Sequence, residues 1–176
     1  MTPSARSRGG GRGCASQAAN SLPTLGSMIS GADILPAAQR SARNVETLRN
    51  YFTLLAALNI DEWSGLWSED CVQLMPFAVG SLPGEVRGRA AVRDLYDAMA
   101  RQYRTLRFDD LTLYPADDPD QVLALWKPRG ELADGTEYSN ENIAMFEFGT
   151  DGLIARFTEY FNPAGVGDRF VPKETS

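Results

Sequence analysis

The chain has 176 residues, enough for one domain with its own core and too few for two comfortable ones. Its net charge of −6, without a basic stripe, argues against nucleic acid as a partner, and no apolar run approaches the ~20 residues of a membrane span. The absence of histidine excludes histidine-ligated metals, Ser-His-Asp and Cys-His catalysis, and imidazole proton transfer. Any acid–base chemistry must therefore come from carboxylates, tyrosines, lysines or water.

The N-terminal segment, residues 1–42, is predicted to be a disordered tail. It is rich in Gly, Ser and Arg and has no periodic apolar pattern, so burial cannot offset the entropy cost of ordering it. Its acid-poor, Arg- and Ser-rich start also resembles a transit peptide, and Met28 would serve as an alternative start. Two cysteines, Cys14 and Cys71, make no disulfide framework, which favours a reducing, cytoplasmic setting.

Three helices are predicted in the first half of the following domain, which we delimit as residues 43–165. NVETLRNYFTLLAALN has one apolar stripe with Asn44 as its N-cap, and DEWSGLW is a short helix capped by Asp61. CVQLMPF is typical of a strand, and LPGEVRG of a loop that contains a brief extended piece. The third helix, GRAAVRDLYDAMARQY, again has a continuous apolar side.

Only strand patterns follow the third helix. RFDDLTLYPA, QVLALWKPRGEL, TEYSNENIAMFEF and LIARFTEYFNP are separated by the turn sequences DDPD, ADG and TDG. The order predicts an α+β fold: a cone-shaped, curved, antiparallel or mixed sheet, closed by the three helices around a cavity. Residues 166–176 are expected to be a C-terminal tail.

Glu159 is the candidate catalytic residue. In the last strand, Phe157, Glu159 and Phe161 alternate with polar residues and should face the interior together. An unpaired buried carboxylate costs several kcal/mol, roughly, so it takes up a proton or acquires a partner. Either it pairs with an arginine such as Arg87 or Arg104, or it lies in a cavity as an acid–base group. The pattern alone leaves both open.

Polar side chains of the preceding strand are predicted to share the inward face. Tyr138, Asn140 and Asn142 lie on this face together with Ala144. A few convergent polar groups among aromatics are typical of a small-molecule site. Alternatively, Tyr138 and Asn140 satisfy each other near a strand end. Trp126, like Trp63 and Trp67, is expected in the core as readily as at a ligand. The acidic turns suggest no metal site.

The order and spacing of several segments resemble the nuclear transport factor 2-like superfamily, and within it the SnoaL-like group, specifically the phenazine-biosynthesis A/B branch. These segments are RNVETLRNYF, LWSEDCVQLMPF, EVRGRAAVRDLY, ADDPDQVLALWKPRG, YSNENIAMFEF, DGLI and TEYFNP. The resemblance covers roughly residues 43–163. It implies a cone-shaped α+β barrel, commonly a homodimer through the open sheet face, that acts on small organic substrates without a metal.

The resemblance also implies roles for single residues. A glutamate on the last strand serves as the acid in the phenazine branch and matches Glu159, while Asn140 and Arg87 match further site positions. The branch carries a histidine roughly where Leu95 stands here. Phenazine ring assembly is therefore not expected, and a related condensation, cyclisation or isomerisation is.

We therefore expect a small enzyme of secondary metabolism that binds a hydrophobic, cyclic, carbonyl-containing ligand, with no cofactor and no metal. Glu159 is the predicted general acid and base. The predicted ligand-binding residues are Asn140, Tyr138, Arg87, Asn142, Phe157, Phe161 and Trp126. One alternative is a non-catalytic protein-assembly module, whose cone would be filled by phenylalanines rather than open beside Glu159. Another is a ligand-binding carrier or sensor, which would keep the cavity without turnover.

Overall fold

The computed structural model describes residues 35–166. The described helices are α1 (Ala37–Ala56), α2 (Ile60–Ser64), α3 (Arg89–Ala100) and the short α4 (Pro163–Val166). The strands are β1 (Trp67–Leu74), β2 (Glu85–Arg87), β3 (Tyr103–Pro115), β4 (Gln121–Leu132), β5 (Glu137–Ser139), β6 (Asn142–Phe148) and β7 (Ile154–Phe161). The predicted α+β architecture is confirmed.

The described strands form one curved, unclosed mixed sheet in the order β2-β1-β7-β6-β4-β3, with β5 paired to β4. Only the β1–β7 pair is parallel; the other described pairs are antiparallel. Because α1 and α3 pack against strands of this sheet, one sheet face becomes the interior.

Helix α1 differs from the prediction at its start. It begins at Ala37, before the predicted domain start at residue 43, and the predicted cap Asn44 lies inside it, fully buried. Asn44 Nδ2 donates to the carbonyl of Pro119 at 3.0 Å, and its Oδ1 accepts from the Arg43 guanidinium. Asn44 is therefore not an N-cap. It fastens the helix to the loop before β4.

The second helix is also shorter than predicted. It ends at Ser64, and β1 begins at Trp67. The N-cap of this helix is Asn59 rather than the predicted Asp61, because the Asn59 side chain accepts a hydrogen bond from Glu62 N. The predicted strand TEYSNENIAMFEF is divided between β5 and β6. Most of the two predicted tails lies outside the described residues. Val166, the first residue of the predicted C-terminal tail and the last described residue, is buried.

Three rows of side chains cross the interior face of the central strands β4, β6 and β7. Paired residues give the first row as Trp126, Asn142 and Phe161, the second as Ala124, Ala144 and Glu159, and the third as Val122, Phe146 and Phe157. The third row is fully buried, and its phenylalanine rings lie 4.6 Å apart between centroids. Glu159 thus lies in the second row, between Asn142 and Phe161 on one side and the closed third row on the other.

Candidate acid–base site

Glu159 points into the interior from the middle of β7, as the alternating pattern predicts. Phe157, Glu159 and Phe161 are all buried, whereas the intervening Tyr160 is exposed. Neither Arg87 nor Arg104 reaches the carboxylate, since Arg87 pairs with Glu85 and Arg104 with Glu131. The ion-pair alternative is therefore wrong for these two arginines.

The Glu159 carboxylate has one hydrogen-bond partner in the described part of the chain, the side chain of Asn142. Asn142 Nδ2 donates to Glu159 Oε1 at 2.7 Å. The two residues are diagonal neighbours on adjacent strands, because Asn142 pairs with Phe161 and Glu159 with Ala144. The amide satisfies one carboxylate oxygen without neutralising its charge.

Burial makes Glu159 chemically unusual. It raises the pKa of Glu159 to about 7 from an ordinary value of 4.5, and the hydrogen bond from Asn142 offsets only part of this rise. A carboxyl with this pKa is present in both protonation states near neutral pH. It is thus able to take a proton from a ligand and to return one.

Open space adjoins this carboxyl in two chambers. The larger, here the aromatic chamber, has a volume of about 80 Å³. Besides Glu159 and Asn142, its walls are mainly aromatic and aliphatic side chains from α1, α3, β3 and β4, among them Tyr51, Phe52, Leu55, Tyr103, Phe108 and Trp126. A smaller second chamber of about 50 Å³ lies against Gln73, Met75 and Leu82. Glu159, Asn142, Tyr96, Met99 and Tyr138 line both.

Tyrosine hydroxyls supply further polar groups around the carboxyl. Tyr96 on α3 accepts a hydrogen bond from Gln73 Nε2 at 3.2 Å and interacts with the hydroxyl of Tyr51 on α1. Burial raises the pKa of Tyr51 and Tyr96 well above the usual range, and the nearby Glu159 charge adds to this. Both phenols therefore stay protonated at neutral pH.

Asn140 lies close to the site but faces away from both chambers. Its Nδ2 donates to Tyr138 Oη at 3.3 Å and to Asn162 O at 3.1 Å, and its Oδ1 accepts from the backbone amides of Glu141 and Asn162. These bonds connect the β5–β6 break to the end of β7. The mutual pairing of Tyr138 and Asn140, one of the two alternatives from the sequence, is the arrangement present.

The other predicted ligand-binding residues are placed unequally. Trp126 and Asn142 line the aromatic chamber, Phe161 lines the second chamber, and Tyr138 lines both. Phe157 is fully buried against Trp67 and Phe146, away from the chamber walls. Arg87 is exposed on β2 and forms its ion pair there. The structure thus brings Trp126, Tyr138, Asn142, Phe161 and Glu159 together.

Sequence reasoning missed Gln73, Tyr51 and Tyr96 as polar groups of the interior. Gln73 carried a usable signal, because with a period of two it shares a strand face with the apolar residues Cys71 and Met75, both buried. Tyr51 and Tyr96 lie on the apolar sides of their helices, where a tyrosine is hard to distinguish from a core aromatic.

Two observations bear on metals and membranes. Within residues 35–166 no group of three or more Cys, Asp or Glu side chains is arranged to hold a metal ion. No described helix has the length and apolar character needed to cross a membrane.

Known proteins of similar sequence and structure share this fold. YesE of Bacillus subtilis strain 168, itself uncharacterised, is 29% identical over 126 residues, covering 71% of this chain and 85% of YesE. The crystal structure of a candidate isomerase from Bacillus subtilis superposes with a TM-score of 0.67 at 27% identity, covering 77% of this chain and 96% of that one.

More distant structures share the fold alone. A phenazine biosynthesis-related protein from Pseudomonas aeruginosa has a TM-score of 0.63 at 16% identity, covering 81% of this chain and 89% of its own. A Mycobacterium tuberculosis protein in complex with estradiol-17beta-hemisuccinate has a TM-score of 0.62 at 17% identity, covering 70% and 96%. The family model of the SnoaL-like domain matches residues 48–157. The chain therefore belongs to the SnoaL-like domain family.

Proposed function

We propose that this protein is a metal-free enzyme that moves a proton on a compact, apolar carbonyl compound, as an isomerase or cyclase does. One observation carries the proposal: the Glu159 carboxyl is buried, pairs with no cation among the described residues, and lies at the junction of two open chambers. An assembly module has no need of open volume beside a buried carboxylate. The likeness to a candidate isomerase adds support.

The chemistry follows from the environment of Glu159. The ionised carboxylate removes a proton from the carbon next to the ligand carbonyl, and the electron pair of the broken C–H bond moves into an enolate. The protonated carboxyl then returns the proton, either to the same carbon or to another carbon of the ligand. A pKa of about 7 suits both halves of this cycle, because neither protonation state is strongly favoured near neutral pH.

The enolate oxygen needs hydrogen-bond donors. Tyr138 lines both chambers, and in this proposal its hydroxyl donates to the ligand oxygen. Asn140 then acts through Tyr138, since its Nδ2 donates to Tyr138 Oη and so holds the phenol in place. Asn140 is a positioning residue in this scheme.

The ligand class follows from the walls of the chambers. Neither chamber is lined by a lysine or arginine in the described chain, so phosphate and carboxylate ligands find no counter-charge. The aromatic chamber, at about 80 Å³, is smaller than the ~150 Å³ apolar cavity that holds benzene in an engineered core. A short chain fits the aromatic chamber, and a compact ring needs space from the second chamber as well.

We further propose a homodimer that uses the outer face of the sheet. Leu125, Ile143 and Tyr160 are paired across β4, β6 and β7 on this face, and each is 36–39% exposed. Phe77 extends the row through an edge contact with Tyr160, at 5.5 Å between ring centroids. A contiguous row of exposed apolar residues on a sheet face is typical of a protein–protein contact.

Proton transfer is testable before the natural substrate is known. A panel of small cyclic ketones and enones is incubated with the protein in D₂O, and exchange of the protons next to the carbonyl is followed by NMR. We expect Glu159→Gln, which keeps the shape of the side chain, to slow exchange by about 10²–10⁴-fold. Glu141→Gln, at an exposed position, is the matched control. Exchange that survives Glu159→Gln contradicts the proposal, and ligand binding without exchange identifies a carrier.

A further inference from the structure

The second chamber is lined by residues with buried hydrogen-bond acceptors that no group within residues 35–166 satisfies. Gln73 on β1 is 1% exposed and lines this chamber. Its Nε2 donates to Tyr96 Oη at 3.2 Å, while its Oε1 has no hydrogen-bond partner in the described part of the chain. A buried amide oxygen without a hydrogen bond lowers the stability of the fold, because it has lost its contact with water. A donor on a bound ligand is one way to satisfy it.

Asn142 presents a second acceptor to the same space. Its Nδ2 donates to Glu159 Oε1 at 2.7 Å, so the amide nitrogen faces the carboxyl and the amide oxygen does not. The Asn142 Oδ1 atom is consequently buried and unpartnered among the described residues. Gln73 on β1 and Asn142 on β6, the residues that carry these two buried oxygens, thus both line the chamber that Glu159 also lines.

The remaining walls limit what can enter. Met75, Leu82, Phe161 and Val166 supply apolar surface, and the volume of about 50 Å³ admits only a few non-hydrogen atoms. No cationic side chain of the described chain lines it. The chamber therefore places neutral amide acceptors beside apolar side chains, the Glu159 carboxyl and the phenols of Tyr96 and Tyr138. Without a cation, this lining favours a small, neutral hydrogen-bond donor.

We infer that the second chamber is a subsite for a hydroxyl substituent of the ligand, which donates to Gln73 Oε1 or Asn142 Oδ1 while the apolar body occupies the aromatic chamber. The ligand class is then a hydroxylated carbonyl compound, such as a hydroxyketone, rather than a plain ketone. This inference rests on one part of the proposed function, namely that the ligand binds beside Glu159. Gln73 is a specificity-determining residue in this account.

The first test needs no variant. Binding of cyclohexanone, of the 2-, 3- and 4-hydroxycyclohexanones and of their methoxy analogues to the full chain is measured by ligand-observed NMR titration. We expect at least one hydroxyketone to bind about tenfold tighter than the parent ketone. Its methoxy analogue, which accepts but cannot donate, should lose this gain. Equal binding of the hydroxy and methoxy compounds, or no binding of any member, overturns the subsite.

The second test assigns the preference to Gln73. Gln73→Met keeps the length of the side chain and removes the acceptor, and Gln102→Met, outside both chambers, is the control. The roughly tenfold hydroxyl preference should fall to within about twofold in Gln73→Met, with cyclohexanone binding unchanged. A preference that persists in Gln73→Met overturns the role of Gln73. If Gln73→Met does not fold, the methoxy comparison on the unaltered chain decides the inference.

The two proposals fail in different ways. Deuterium exchange without a hydroxyl preference contradicts the subsite alone. A hydroxyl preference without exchange in any panel member contradicts proton transfer alone and leaves a ligand-binding protein that recognises hydroxyketones.

Discussion

At the scale of single residues, the molecule is organised around one carboxyl that is buried without a counter-charge. Glu159 is held by an amide hydrogen bond and surrounded by tyrosines whose hydroxyls stay protonated. Burying an ionisable group in this way costs stability, and such costs concentrate at functional sites. This cost in stability should be measurable as a pH dependence of the free energy of unfolding.

The pH dependence has a defined sign. The pKa of Glu159 is raised from 4.5 to about 7 in the folded chain, so between these values the folded state holds more protons than the unfolded state. The free energy of unfolding should therefore fall as pH rises from 4.5 to just above 7, by up to roughly 3 kcal/mol from this residue.

Chemical unfolding at pH 4.5, 6 and 8 measures this contribution as the difference in the free energy of unfolding between the unaltered chain and Glu159→Gln. The difference should change with pH in the stated direction, and the exposed Glu141→Gln should show no such change. A constant difference between the unaltered chain and Glu159→Gln across this range would show that Glu159 has an ordinary pKa.

The sequence predicts the direction of Glu159 but not its partner. Side-chain alternation is a local property of a strand, and it correctly places Phe157, Glu159 and Phe161 inside. Which asparagine touches the carboxyl depends on the register between β6 and β7, which brings Asn142 rather than Asn140 into contact. That register depends on how the two strands pair, so the sequence of either strand alone does not predict it.

At the scale of elements, Asn140 sits in the break between β5 and β6 and fastens it to β7. Its side chain makes hydrogen bonds to the backbone of Glu141 and Asn162 and to Tyr138. We expect Asn140→Ala to lower the free energy of unfolding by about 2–3 kcal/mol, because several partly buried backbone groups lose their hydrogen-bond partner.

Chemical unfolding tests the role of Asn140, with the exposed Asn50→Ala on α1 as the control. Ligand affinity of the folded Asn140→Ala protein should stay within a few-fold of the unaltered chain. A variant that keeps full stability and loses ligand binding would return Asn140 to the ligand site.

Helix boundaries were the weakest predictions for a related reason. Asn44 has a good N-cap composition, but its amide is used by the carbonyl of Pro119, which lies far along the chain. Local patterns identified the three predicted helices and the long strands, but not the short α4 or the break between β5 and β6. They could not show that a tertiary hydrogen bond would hold Asn44 inside a longer helix.

At the scale of the whole molecule, the outer sheet face should decide the oligomeric state. Ile143 is 38% exposed at the centre of the row formed by Leu125, Ile143 and Tyr160. Ile143→Lys places a charge where two copies would meet, and we expect it to convert the dimer to a monomer in sedimentation equilibrium. Thr53→Lys, exposed on α1, should leave the dimer intact. A monomer in the unaltered chain contradicts the dimer proposal.

The cavity itself could be anticipated only in outline. An inward-facing carboxylate among aromatics predicts a pocket, and Glu159 does line open space. The division into two chambers depends on how side chains from separate elements, such as Gln73 and Tyr96, pack together. Packing of this kind is fixed by the assembled molecule and not by any one segment.

Titration of the Glu159 carboxyl is the sharpest test of its proposed role as a proton-transfer group whose pKa burial raises to about 7. The chain is labelled with ¹³C at the glutamate carboxyls, and the Glu159 resonance is assigned by its loss in Glu159→Gln. The account predicts a midpoint of about 7. A midpoint near the ordinary 4.5 would contradict it, because the carboxyl would then be a fully ionised group with no proton to return at neutral pH.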